Sequence, residues 1–312
     1  TVFELPDTLK KVMQKAKKLE WITVAYLVSV IVVMYTVLGA SQAMKAAWLE
    51  DVLSMIPAVL FLVATRFYDK NPNPDFPYGY HRVFSIVFLA GSVALFGMGL
   101  FLLVDSIFAL ASGDHPTIGS IYLFGNQIWF GWIMILALLY SAIPAMILGH
   151  KKLPLTSKLH NKILYTDAAA QKADYMTAFA AILGIIGIGF GFWWADAAAA
   201  IVISLSILKD GFQRSKIAIL DLMDRYPQHI SETKKDELVQ NIKNFVKTWP
   251  NVTDANVRFR EHGQVYFGEV AVIFKPNTDI SEAVEEGVEK IREFDWKIYD
   301  VVIVPVKFLP KW

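Results

Sequence analysis
Six long apolar stretches follow one another before the chain turns polar. They run Trp21–Ala40, Met44–Phe67, Val83–Ala111, Phe124–Gly149, Ile163–Phe190 and Trp193–Ile207, and all but the last reach the roughly 20 residues a helix needs to cross a bilayer. The fifth and sixth are separated only by the Gly-rich stretch from Gly187 to Trp194, which predicts a tight turn between two spans. Ahead of the first span, residues 1–20 carry Lys10, Lys11, Lys15, Lys17 and Lys18 and read as an amphipathic cytoplasmic lead-in. Beyond about Ser215 the pattern changes. Leu238, Ile242, Phe245 and Val246 recur at helical spacing within Ser231–Thr248, while Asn256–Arg260 alternates and Val265–Phe274 reads as a second strand. Asp279 with Glu282 marks the start of a helix running to about Phe294, and Asp300–Val306 is a third strand.

The fold class is therefore a membrane protein, an all-α bundle of six transmembrane helices (residues 21–214), followed by a cytoplasmic α+β domain (residues 215–312). Its αββαβ order predicts a ferredoxin-like unit with both helices on one sheet face and edges suited to pairing with a second copy. Hydrophobic residues make up 55% of the chain and charged residues 19%, which excludes an ordinary soluble domain. The net charge of +1 gives no reason to expect a nucleic-acid partner. Basic residues cluster at Arg66, Lys70 and Arg82, at Lys151, Lys152, Lys158 and Lys162, and at Lys209, Arg214 and Lys216. If all three groups occupy loops on one side, both termini are cytoplasmic and the membrane is the plasma or inner membrane.

Charge inside the spans points to chemistry, because an ionisable side chain at the bilayer centre costs at least about 2.5 kcal/mol. On a fifth-span helix, Asp167, Ala170, Gln171 and Asp174 share one face, whereas Lys172 points elsewhere. The second span answers with Glu50, Asp51 and Ser54. Glu50 shares a face with Ser54, and Asp51 diverges toward Met55. With no cysteine in the chain, a metal held here would take oxygen, imidazole or backbone groups. The plainer reading is a structural ion network of Asp174 and Lys172 with Glu50 or Asp51. Lys172 either faces the site as an exchanging charge or snorkels to an interface. Asp75 and His81 in the Pro-rich loop read as part of a rigid turn rather than an ion site. Asp105 and Asp196 read as solvated interfacial charges, with a pairing of Asp196 to a neighbour as the alternative. Two mid-membrane Asp residues also suit an intramembrane aspartyl protease, but its second-helix Gly-Asp motif is missing.

Taken in order, the acidic stretch of the second span, Arg66-Phe67, Pro77-Tyr-Gly-Tyr-His-Arg82, Asp167 to Asp174, Leu222-Met-Asp224-Arg225 and the terminal αββαβ pattern resemble the cation diffusion facilitator family. That resemblance implies a homodimeric, proton-coupled divalent-metal exporter rather than an enzyme. No cofactor is tightly bound, and the partners are lipid, protons and the metal. The family's second-span ligands fall on Glu50 and Ser54, and its fifth-span His-x-x-x-Asp falls on Ala170 and Asp174. Asp51, Asp167 and Gln171 are substitutes that the chain itself offers. Without imidazole, the shell suits manganese, ferrous iron or magnesium better than zinc. Arg82 and Asp224 match the family's charge interlock at the dimer. Positions that hold sensing histidines in other members are Ala255, Ala271 and Val304, so the cytoplasmic domain is expected to dimerise without metal there. A non-transporting scaffold or metal-sensing relative is the alternative.

Overall fold
The computed structural model describes residues 6–68, 70, 72–113, 117–123, 125–230 and 234–312. Six long helices form the first part: α1 (Asp7–Thr36), α2 (Gln42–Tyr68), α3 (Val83–Ala111), α4 (Gly131–Leu159), α5 (Lys162–Gly189) and α6 (Ala195–Leu222). Among the described residues, five of them, α1 to α5, are long and apolar enough to cross a membrane. The expected lead-in is no separate piece, because α1 runs unbroken from Asp7 through the first apolar stretch. The fourth apolar stretch likewise does not begin as helix. A hairpin of β1 (Ser120–Leu123) and β2 (Asn126–Trp129) precedes α4. Its alternation is short, and its aromatic side chains are as apolar as a span, which is why hydropathy merged the two.

The joint between α4 and α5 is much shorter than the run of lysines suggested. His160 takes a left-handed conformation (φ 44°) that ends α4, and the side chain of Asn161 caps α5 by accepting from the Leu164 N–H at 2.8 Å. Lys151, Lys152 and Lys158 therefore belong to a helix rather than a loop. Helices α3 and α6 pack backbone against backbone. A Cβ on Gly99 would stand 2.7 Å from the backbone N of Leu208, and one on Gly211 would stand 2.5 Å from that of Phe96. Small residues that let backbones touch take the place of the hydrophobic driving force that lipid does not supply.

The C-terminal part contains α7 (Glu237–Lys247), β3 (Val252–His262), β4 (Val265–Phe274), α8 (Ile280–Phe294) and β5 (Ile298–Pro305). The sheet order is β3-β4-β5, with β3 antiparallel and β5 parallel to the central β4. Leu238, Ile242 and Val246 of α7 and Ile291 of α8 share one core with Tyr266, Val270 and Ile303 of the sheet. Both helices are amphipathic and bury their apolar stripes there. Asp279 caps α8 by accepting from the N–H groups of Ser281 and Glu282 at 3.0 and 3.3 Å.

The tip of the β3–β4 hairpin docks on the helices. Gly263 (φ +69°) lies so close that a Cβ would stand 2.7 Å from the carbonyl oxygen of His81. Gln264 donates to the carbonyl of Leu159 at 3.0 Å, and Lys162 bridges Asp221 and Glu261 at 2.9 Å each. His160 and Asp236 both meet the buried Tyr266 hydroxyl, at 3.0 and 2.6 Å. Burial alone would raise the pKa of Asp236, but hydrogen bonds from Lys297, Tyr266 and the Leu238 N–H outweigh it and hold the carboxyl well below its usual range.

His81 and His262, on either side of this docking surface, are both pushed down to about 4 by burial, with Arg82 and Arg260 adding to the effect at His262. Each is neutral when folded and gains a proton on exposure below its ordinary value of about 6.5. Their contribution to stability is full above that value and is lost as pH falls toward 4. Thermal unfolding of detergent-solubilised protein should therefore show a falling Tm across this window. His81→Phe should remove its share of the slope, at most about 3 kcal/mol.

Candidate functional site
Five carboxylates lie fully buried in the middle and lower bundle, and their partners sort them. On α2, Glu50 and Asp51 do part company as the helical spacing requires. Asp51 turns to α4, where the hydroxyl of Ser141 donates to its two oxygens at 3.0 and 3.1 Å. The Tyr26 hydroxyl of α1 in turn donates to the Ser141 carbonyl. Glu50 instead lines a cleft of about 50 Å³ together with Ser54, Thr166, Ala170, Asp210 and Arg214. That volume admits an ion with a few waters. Glu50 Oε2 is buried without a hydrogen-bond partner among the described residues.

Asp174 of α5 sits behind Ser54. The Ser54 hydroxyl donates to Asp174 Oδ1 at 2.5 Å, and Oδ2 has no partner among the described residues. Glu50 and Asp51 both lie near enough to act on Asp174 electrostatically. Two buried carboxylates thus each present an unsatisfied oxygen, an arrangement that costs free energy until a proton or cation fills it. Ala170, the position of the missing imidazole, lines the same cleft. Among the described residues, no three His, Cys, Asp or Glu side chains gather into a full metal shell.

Asp167 and Gln171 lie on the Asp174 face but look toward α1 and α4. Lys152 pairs with Asp167 and with Glu20, the latter at 2.8 Å, and all three side chains are fully buried. Gln171 reaches Thr23 and Asp167 through weak contacts at 3.4 and 3.5 Å. Lys172 is exposed and points away from the site, so the ion network of Asp174 with Lys172 does not form. The Lys152 triad was not legible in the sequence, since its lysine reads as a loop charge and Glu20 as part of a lead-in. Arg214 is a second omission. It donates to the Thr166 carbonyl at 3.2 Å, lies 3.6 Å from Asp210, and stands where the cleft meets a wider cavity of about 290 Å³ reaching Lys162, Arg225 and His229. The spacing of Asp210 and Arg214, one helical turn, was the available signal.

Asp196 is no solvated charge. It is buried at the far end of the bundle and caps α2, accepting from the Ser41 hydroxyl at 2.6 Å and from the N–H groups of Gln42 and Ala43 at 2.5 and 3.3 Å. Asp105 pairs with Lys45 at 2.6 Å. Arg82 donates to Asp224 at 2.7 Å, with Arg260 at 3.4 Å from the same carboxylate and His262 against the Arg82 guanidinium at 2.9 Å. Asp75 is exposed, and His81 packs edge-on against Tyr299 at 4.4 Å between ring centres.

The family description "Cation efflux transmembrane domain" matches residues 21–223. The chain belongs to the cation diffusion facilitator family. It is similar to the manganese efflux system protein MneS of Bacillus subtilis (strain 168), with 27% identity over 231 residues, 70% of this chain and 74% of that protein. It is also similar to the cation-efflux pump FieF of Yersinia pestis (strain Pestoides F), at 24% identity over 279 residues, 87% of this chain and 86% of that one. This facilitator is accordingly a membrane protein of metal-cation efflux and not an enzyme.

Ser54→Ala should leave Asp174 Oδ1 buried without a donor, at a cost of about 1–3 kcal/mol. Thermal unfolding in detergent reads this directly, and an unchanged Tm would show that the Ser54–Asp174 bond contributes nothing.

Proposed function
We propose that this facilitator exports a divalent metal from the cytoplasm by metal/proton antiport, with the metal bound between α2 and α5 by Glu50, Asp174 and Ser54. The observation that carries this reading is the Ser54–Asp174 hydrogen bond. It brings the two acidic helices together beside a cleft into which Glu50 opens an unsatisfied oxygen. A carboxylate binds metal only when unprotonated, so the same two acids exchange a proton for a metal as their exposure alternates between the two sides of the membrane. Asp51, held by Ser141, tunes the charge beside them. Asp167 and Gln171 stand apart from this ligand set.

The donors are oxygens, which suits manganese or ferrous iron ahead of zinc. The name of the Bacillus relative supports manganese. The cleft widens past Arg214 toward the C-terminal domain, and that is the side from which metal enters. Placing it in the cytoplasm makes α6 the sixth span and puts both termini there. The chain works as a homodimer in the plasma or inner membrane, paired through the C-terminal sheet and held at the Arg82–Asp224 contact. The sparse set of donors favours a second reading, a non-transporting scaffold of the same fold.

Asp174→Ala is expected to abolish manganese-dependent proton flux in proteoliposomes while leaving the protein folded. Flux at the wild-type rate in that variant would refute the ligand assignment. Absence of wild-type flux with manganese, iron, cobalt, zinc, cadmium and magnesium would favour the scaffold.

A further inference from the structure
Glu20 of α1, Lys152 of α4 and Asp167 of α5 meet with no exposed surface, and nothing in the metal site uses them. Their charges do not cancel. Two carboxylates face one ammonium, which leaves one negative charge in a region that excludes solvent, and an uncompensated buried charge is among the costliest features a fold can carry. Three acceptor atoms there, Glu20 Oε1, Asp167 Oδ1 and Gln171 Oε1, have no hydrogen-bond partner among the described residues.

Among the described residues, Lys152 is the cation paired directly with Glu20 and Asp167. Arg214 of α6 acts on Asp167 only at a distance, its hydrogen bond going to the Thr166 carbonyl and its ion pair to Asp210. From α2, Asp51 is held by Ser141; on α5, Asp174 is held by Ser54; and from α1, Tyr26 donates to Ser141. The Lys152 ammonium already stands between the two carboxylates, so the positive charge that fits is a proton on a carboxylate oxygen rather than another metal-sized ion. Gln171 links this triad to the metal site. It lies one turn from Asp167 and three residues from Asp174, and the two aspartates are about 10 Å apart along the helix axis.

We propose that Glu20, Lys152 and Asp167 form a proton-carrying site, separate from the metal ligands, that contributes one proton to each transport cycle. The proton binds one of the two carboxylates when the triad is neutral. On release, the ammonium holds both carboxylates and the negative charge left behind lies on the α5 face that carries Asp174. Metal and proton then travel along the two flanks of one α5 face: the cleft with Glu50 on one flank, the triad with α1 and α4 on the other. The inference rests on the antiport reading above.

Glu20→Gln tests it, because one carboxylate against one ammonium is neutral and needs no proton. Proteoliposomes carrying wild type or variant are assayed for manganese exchange at equal pH and for protons moved per manganese, the latter with a trapped pH-sensitive dye. Metal-for-metal exchange should persist in Glu20→Gln, while the proton count falls by about one per manganese. An unchanged proton count would overturn the site. Loss of exchange and coupling together in a folded variant would overturn it as well, since the triad would then be purely structural. Coupling to sodium in place of pH would do the same. If Glu20→Gln does not fold, Asp167→Asn neutralises the triad equally and is put through the same proton count. Failure of wild type to exchange manganese at all would instead remove the antiport reading on which this one stands.

Discussion

A carboxylate inside an apolar bundle must have its charge answered, and this molecule is arranged around that requirement. Asp196 is answered completely by a hydroxyl and two backbone N–H groups, so it simply fastens the start of α2 to the start of α6. Asp51 is answered by Ser141. Glu50, Asp174, Glu20 and Asp167 are answered only in part, each retaining a buried oxygen without a hydrogen-bond partner among the described residues. Full satisfaction produces a structural joint. Partial satisfaction produces a site whose free energy depends on what enters it, which is the property a carrier of cations needs.

The scaffold keeps these groups at fixed relative positions without covering them. Gly99 and Gly211 lock α3 to α6 backbone against backbone, and Ser54 spans α2 and α5. The cleft with Glu50 lies among these four helices. On the other flank of the α5 face that carries Asp174, α1 and α4 close around Lys152. One helix therefore serves two polar regions, and the face that carries Asp167, Gln171 and Asp174 is the seam between them.

The C-terminal unit is joined to this machinery through ion pairs, hydrogen bonds and ring packing of His81 against Phe267 and Tyr299. Lys162 starts α5 and holds both Asp221, near the end of α6, and Glu261 of β3. Arg82, next to the start of α3, holds Asp224 just after α6. These contacts tie the ends of α3, α5 and α6 to the β3–β4 hairpin beside Gly263.

Much of this was legible one segment at a time. The apolar stretches, the cap at Asp279, the strand at Val265–Phe274 and the divergence of Glu50 from Asp51 all follow from hydropathy and periodicity along a single element. What tertiary structure alone decided is which charges meet. Lys152 and Glu20 are 132 residues apart, and Ser41 and Asp196 are 155 apart. Their pairing depends on how far each helix is rotated about its own axis once it packs. The sequence of one helix determines which residues share a face; only the neighbouring helices determine what that face looks at.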